Sequence, residues 1–77
     1  MNWHVYLLQC SDNSLYCGIT NNLEKRIKTH NSGRGAKYTR ARRPVILLKY
    51  WEMESKSAAL KREYQIKQMS REEKLKL

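Results

Sequence analysis

Two short runs rich in β-branched, aromatic and aliphatic residues, 3–9 and 15–19, flank the turn cluster Ser11-Asp12-Asn13-Ser14. Apolar runs bounded by such a cluster predict a β-hairpin near the start of the chain. Val5 and Leu7 fall on one face of the first strand, with His4, Tyr6 and Leu8 on the other, because side chains alternate across a strand. The loop decides what the hairpin can present. A two-residue loop at Asp12-Asn13 would set Tyr6 and Tyr16 on opposite faces, whereas an odd loop or one bulge would bring them to the same face.

Beyond the hairpin the pattern changes period. Asn21 followed three residues later by Glu24 reads as a capping box, predicting a helix from about Asn22 to His30 with Leu23 and Ile27 as its apolar stripe and Gly33 past its end. Arg26 and His30, four residues apart, share one face of that helix. Residues 32–43 are polar and basic with two glycines, which predicts a loop holding at most a short helix at 36–40. Pro44 opens a third strand, Val45 to Tyr50, whose continuous apolar run suits a central position buried on both faces. Ser55 or Ser57 caps a helix to about Gln68, and Ser70 with Glu73 opens a short terminal helix. The expected fold is α+β (α/β in the broad sense), a small three-stranded antiparallel sheet flanked by helices in the order β-β-α-β-α-α.

With 77 residues, one domain spanning 1–77 is expected. A hydrophobic share of 40%, with Trp3, Trp51 and five tyrosines, suffices for a small core. No leader pattern and no run near the ~20 apolar residues of a membrane helix is read, so a cytoplasmic protein without membrane contact is expected. Cys10 and Cys17 are then expected as buried reduced thiols, although a bridge across the hairpin stays open. The net charge is +9, and between Lys25 and Trp51 nine basic residues occur without one acidic residue. A stretch of one sign repels itself and suits a polyanionic partner. Within it, Arg34, Lys37, Arg40, Arg42 and Arg43 are the expected nucleic-acid-binding rim. A membrane surface fits less well, because no apolar helical face opposes the basic run.

Four motifs follow in order: His4-Val5-Tyr6, Tyr16-Cys17-Gly18, Thr20-x-x-Leu23-x-x-Arg26-x-x-x-His30-Asn31, and Ala59-Leu60-x-x-Glu63. Together they resemble the GIY-YIG nuclease superfamily over nearly the whole chain. Gly35-Ala36-Lys37-Tyr38-Thr39 and the Arg43-Pro44 step resemble its small single-domain bacterial branch (UPF0213-like), which is similar to the catalytic domain of the eukaryotic structure-specific endonuclease subunit. His4 stands where that family usually has Gly, and Cys17 where it has Ile or Val; neither position carries the family's chemistry.

The resemblance implies a Mg²⁺-dependent (or Mn²⁺-dependent) endonuclease that cuts phosphodiester bonds in DNA, branched or flapped DNA in repair included, by one in-line attack of water. It implies Tyr6, Tyr16, Arg26, His30 and Glu63 as catalytic residues, converging on one concave surface with a basic rim. Glu63 is the expected metal ligand, since Mg²⁺ takes one or two carboxylates and fills its shell with water and substrate oxygens. Arg26 would face the scissile phosphate, and His30 would orient or deprotonate a tyrosine or the water. A free phenol has a pKa near 10, so ionising one at neutrality costs about 4 kcal/mol. Which tyrosine serves as base stays open. A monomer is expected, with a protein partner for targeting.

Blander readings exist for each residue: a surface Glu63–Lys67 pair at i,i+4, a histidine on a helix C-terminal dipole, and tyrosines packed in a small core. The alternative for the chain as a whole is a non-catalytic nucleic-acid-binding module retaining an idle site, or a small basic RNA-associated protein. His4, Cys10, Cys17 and His30 lack the close paired spacing of structural zinc sites, and Cys17 lacks a recognisable base nearby.

Overall fold

The computed structural model describes residues 2–77. The elements run β1 (Trp3–Gln9), β2 (Leu15–Thr20), α1 (Leu23–Asn31), the four-residue α2 (Lys37–Arg40), β3 (Ile46–Met53), α3 (Lys56–Lys67) and α4 (Arg71–Leu75). The hairpin loop has three residues. Cys10 N–H donates to Ser14 O at 2.8 Å, Asn13 N–H donates to Cys10 O at 2.9 Å, and Asn13 takes a left-handed φ of 67°. Asparagine tolerates that conformation, and Asp12 braces the turn by accepting from Ser14 N–H at 3.0 Å. The odd loop sets the pairing Tyr6↔Gly18 and Leu8↔Tyr16, so Tyr6 and Tyr16 share a face.

The sheet order is β2-β1-β3, all antiparallel. The expected central position of the third strand is therefore wrong: β1 is central and β3 is an edge. Four consecutive residues of β1, Val5 to Leu8, are buried, while β3 alternates exposed with half-buried residues. Its apolar run covers one flank of β1 and leaves Ile46 and Tyr50 exposed. The strand also starts and ends later than its apolar run suggests, at Ile46 and Met53.

Each face of β1 has its own core. Val5 and Leu7 pack with Cys17 beneath Ala59 and Ile66 of α3. Tyr6, Leu8, Cys10 and Val45 pack beneath Leu23 and Ile27 of α1. The α1 cap is Asn22, one residue later than the expected Asn21, and its side chain accepts from Lys25 N–H. Gly33 follows the helix with φ of 86°. At that end Asn31 clasps the start of β3: its Nδ2 donates to Val45 O at 3.1 Å and its Oδ1 accepts from Val45 N–H at 2.7 Å. Ser55 caps α3, and Ser70 with Glu73 forms the capping box of α4. Among the described residues no helix is long and apolar enough to cross a membrane.

Candidate active site

Tyr6 sits mid-strand on the face beneath α1 and is 1% exposed. Its ring lies across Gly18, its cross-strand neighbour, where any Cβ would collide with the phenol end. The hydroxyl therefore projects past β2 toward α1. There it meets His30 Nε2 at 2.8 Å and accepts from Arg26 Nε–H at 3.4 Å. The four-residue spacing on α1 places both partners over one phenol oxygen. His30 is fully buried, and its Nδ1 lies 2.8 Å from the Thr39 hydroxyl.

Burial pushes the Tyr6 phenol up to about 12, with the Arg26 hydrogen bond pulling the other way. Burial first, and the Arg26 charge second, hold the His30 imidazole down at about 4. At neutral pH the phenol and the imidazole are both uncharged, beside the cationic Arg26. Arg26 also lines a polar hollow with Thr20, Asn21, Asn22, Lys25 and Thr29, where an anionic group would meet two cations.

Tyr16 lies beside this pair, its ring centroid 6.4 Å from Tyr6 and 5.4 Å from His30. It stacks on Tyr38 at 5.9 Å and 26°, and the Arg42 guanidinium lies 4.0 Å over the Tyr38 ring. Arg42 is tied down by Asp12 Oδ2, which accepts from its Nε–H at 3.0 Å, and by Tyr38 O at 2.8 Å. Arg43 likewise donates from Nε to Arg40 O at 2.9 Å. Of the five expected rim residues, Arg34, Lys37, Arg40 and Arg43 are exposed and, among the described residues, form no ion pair; Arg42 is half-buried, pairs with Asp12 and lies over the Tyr38 ring.

Glu63 belongs to α3, on the other face of the sheet. It stands near Cys17, whose thiol is pushed up to about 11 by burial and then by the Glu63 charge. The side chain is 19% exposed and its Oε2 meets Lys67 Nζ at 3.5 Å. The Lys67 ammonium in turn lies 5.9 Å over the Tyr16 ring, so this lysine reaches round the edge strand β2. Tyr6, Tyr16, Arg26 and His30 thus form one group, and Glu63 adjoins it across β2 through Lys67. Glu63 is a shielded carboxylate paired with Lys67, and a hard divalent ion that keeps most of its waters would have to take that lysine's place. Among the described residues no three of His, Cys, Asp and Glu gather into a richer ligand set. Cys10 and Cys17 are free, buried and packed in different cores, so the zinc set does not assemble.

The sequence assigned no site role to Gly18, Gly35, Tyr38, Thr39 or Lys25, whereas the Glu63–Lys67 pair at i,i+4 was expected and is present. The motif Tyr16-Cys17-Gly18 and the run Gly35 to Thr39, both quoted for their family resemblance, marked part of this set. A Cβ at Gly35 would collide with the His30 ring, which explains the glycine there. Nothing in local periodicity could reveal that contact.

A three-stranded sheet with a tyrosine pair, an arginine and a histidine in this order defines a class. The chain belongs to the GIY-YIG family, whose GIY-YIG catalytic domain matches residues 2–76. Among its bacterial relatives, UPF0213 protein SH2523 of Staphylococcus haemolyticus is 60% identical over 75 residues, covering 96% of this chain and 90% of that protein. UPF0213 protein CPE1444 of Clostridium perfringens is 58% identical over 74 residues, covering 96% and 80%. Two solution NMR structures are similar. UPF0213 protein BH0048 from Bacillus halodurans has a TM-score of 0.60 at 49% identity, over 96% of this chain and 79% of that one. Protein EF2693 from E. faecalis has 0.68 at 40% identity, over 99% and 81%.

Proposed function

We propose that this chain is a divalent-metal-dependent endonuclease that hydrolyses phosphodiester bonds in DNA, including branched or flapped forms met in repair. The observation that carries the reading is the Tyr6 hydroxyl, held between a neutral imidazole at 2.8 Å and a guanidinium at 3.4 Å. This is an oxygen that can take one proton while it releases another. A separated phenolate–imidazolium pair is disfavoured, because burial raises the Tyr6 phenol to about 12 and lowers the His30 imidazole to about 4. Tyr6 therefore accepts the proton of the attacking water as its own passes to His30 Nε2. Arg26 faces the phosphate and offsets the negative charge that grows there. Tyr16 walls the site and holds the water against Tyr6.

Glu63 would hold Mg²⁺ or Mn²⁺, which when bound polarises the phosphate and favours ionisation of the water. Arg34, Lys37 and Arg40 draw in the polyanion without reading its bases. The second reading is a nucleic-acid-binding module with an idle site, and the Lys67 ammonium beside Glu63 is what favours it. A panel of labelled duplex, flap, junction and single-stranded substrates, with Mg²⁺, Mn²⁺ or chelator, separates the two. Metal-dependent cleavage that vanishes in Tyr6→Phe and Glu63→Gln supports the nuclease. Binding without cleavage under every condition supports the module.

A further inference from the structure

We propose that Thr39 is a positioning residue that sets the tautomer of His30, and thereby gives Tyr6 a base to hand its proton to. Tyr6 is 1% exposed, and its hydroxyl has two polar partners. Arg26 Nε–H can only donate, so among the described residues the phenol hydrogen has a single acceptor, His30 Nε2. That nitrogen must be bare. A neutral imidazole carries one hydrogen, which then lies on Nδ1 and points at Thr39 Oγ1, 2.8 Å away. The threonine hydroxyl can accept it because its own hydrogen goes to Ala36 O at 3.0 Å.

Every hydrogen in the row has a place: Tyr6 O–H to Nε2, Nδ1–H to Thr39, Thr39 O–H to Ala36 O. The opposite direction would put hydrogen on Nε2 and leave a buried phenol hydrogen with no acceptor, which native interiors avoid. The backbone is shaped to the same end. Gly35, which has no Cβ, lets the 35–39 segment close on the imidazole, and the single turn of α2 presents Thr39 to His30 and Tyr38 to Tyr16. The direction matters because a bare Nε2 can take the phenol proton, whereas a protonated one can only donate to Tyr6. In the step, the water O–H and the Tyr6 O–H break, a new Tyr6 O–H and the Nε2–H form, the water oxygen bonds to phosphorus as the bond from phosphorus to the leaving alcohol oxygen breaks, that oxygen takes a proton from solvent, and the positive charge on the imidazole is held by Nδ1–H against Thr39. This last use rests on the nuclease reading; the tautomer does not.

The test is ¹⁵N NMR of the imidazoles in the whole protein at neutral pH, with His4→Gln used to assign the two rings. Hydrogen on Nδ1 of His30 in the unmutated protein supports the proposal, and hydrogen on Nε2 overturns it whatever any variant does. Thr39→Ser should keep both the tautomer and turnover. Thr39→Val should give a mixed or reversed tautomer and lower kcat about 10- to 100-fold, with KM nearly unchanged, on the scale of misorienting a general base. Tautomer and kcat both unchanged in a folded Thr39→Val would overturn the assignment. An unmutated protein that cleaves nothing yet carries hydrogen on Nδ1 supports the role of Thr39 while overturning the nuclease reading.

Discussion

Tyr6 on the central strand and His30 near the end of α1 are joined by a 2.8 Å hydrogen bond inside the fold. The two residues are 24 positions apart, and this contact couples the folding of the helix onto the sheet to the assembly of the proposed base. Tyr6→Phe removes the bond while keeping the ring. The expected outcome is a loss of single-turnover cleavage of about 100-fold or more. Stability should fall by about 1–3 kcal/mol, because the fully buried His30 Nε2 loses its partner. Cleavage kinetics beside urea unfolding separate the two effects.

His30 makes stability depend on acidity with a definite sign. Its imidazole takes a proton near pH 6.5 when unfolded but only near pH 4 when folded. Between these values the unfolded chain binds more protons, so stability is full above about 6.5 and falls as pH drops toward 4, by up to about 3 kcal/mol. Urea midpoints measured at pH 7 and pH 4.5 should show the decline, and His30→Gln should flatten it. An equal slope in the variant would assign the effect to another group.

Gly18 has no room for a methyl group, since a Cβ there would meet the Tyr6 hydroxyl and Cζ. Gly18→Ala should destabilise by about 1–3 kcal/mol, the usual cost of overpacking, and should displace the Tyr6 hydroxyl from His30. Chemical shifts of the His30 ring report that displacement directly. A variant with parental stability and unmoved imidazole signals would contradict it.

Glu63→Gln keeps the shape of α3 and removes the charge proposed to hold the metal. Cleavage should collapse while nucleic-acid binding persists, and Mn²⁺ binding followed by electron paramagnetic resonance should weaken. Arg26→Ala should cost about 10³-fold in turnover, the scale of losing one transition-state charge donor. Parental cleavage in both variants would sink the nuclease reading.

Arg40 and Arg42, two positions apart, differ in expected behaviour. Arg40 is exposed and, among the described residues, in no ion pair, so Arg40→Ala should weaken binding and reduce the slope of log K against log salt by about 1. Arg42 is bonded to Asp12 and lies on Tyr38, which stacks on Tyr16. Arg42→Ala should leave that slope nearly unchanged and lower the rate at saturating substrate. Salt titrations with single-turnover kinetics distinguish the two.

Features governed by neighbours a few residues away were legible in the chain alone. The hairpin, the α1 stripe of Leu23 and Ile27, a serine cap at 55 or 57 and the Ser70–Glu73 box follow from side-chain period and capping chemistry, which act locally. Even the sharing of one face by Tyr6 and Tyr16 reduced to whether one loop was odd. The order of the strands did not follow. The apolar run of β3 reads the same whether it is covered on two faces or lies at an edge, and only the pairing of β1 with both neighbours put it there. The same holds for His30 against Thr39, for Arg42 against Asp12, and for Glu63 lying across β2 from the tyrosines. Those relations arise when separate segments pack, and their hydrogen-bond partners are set by three-dimensional proximity, which no local pattern encodes.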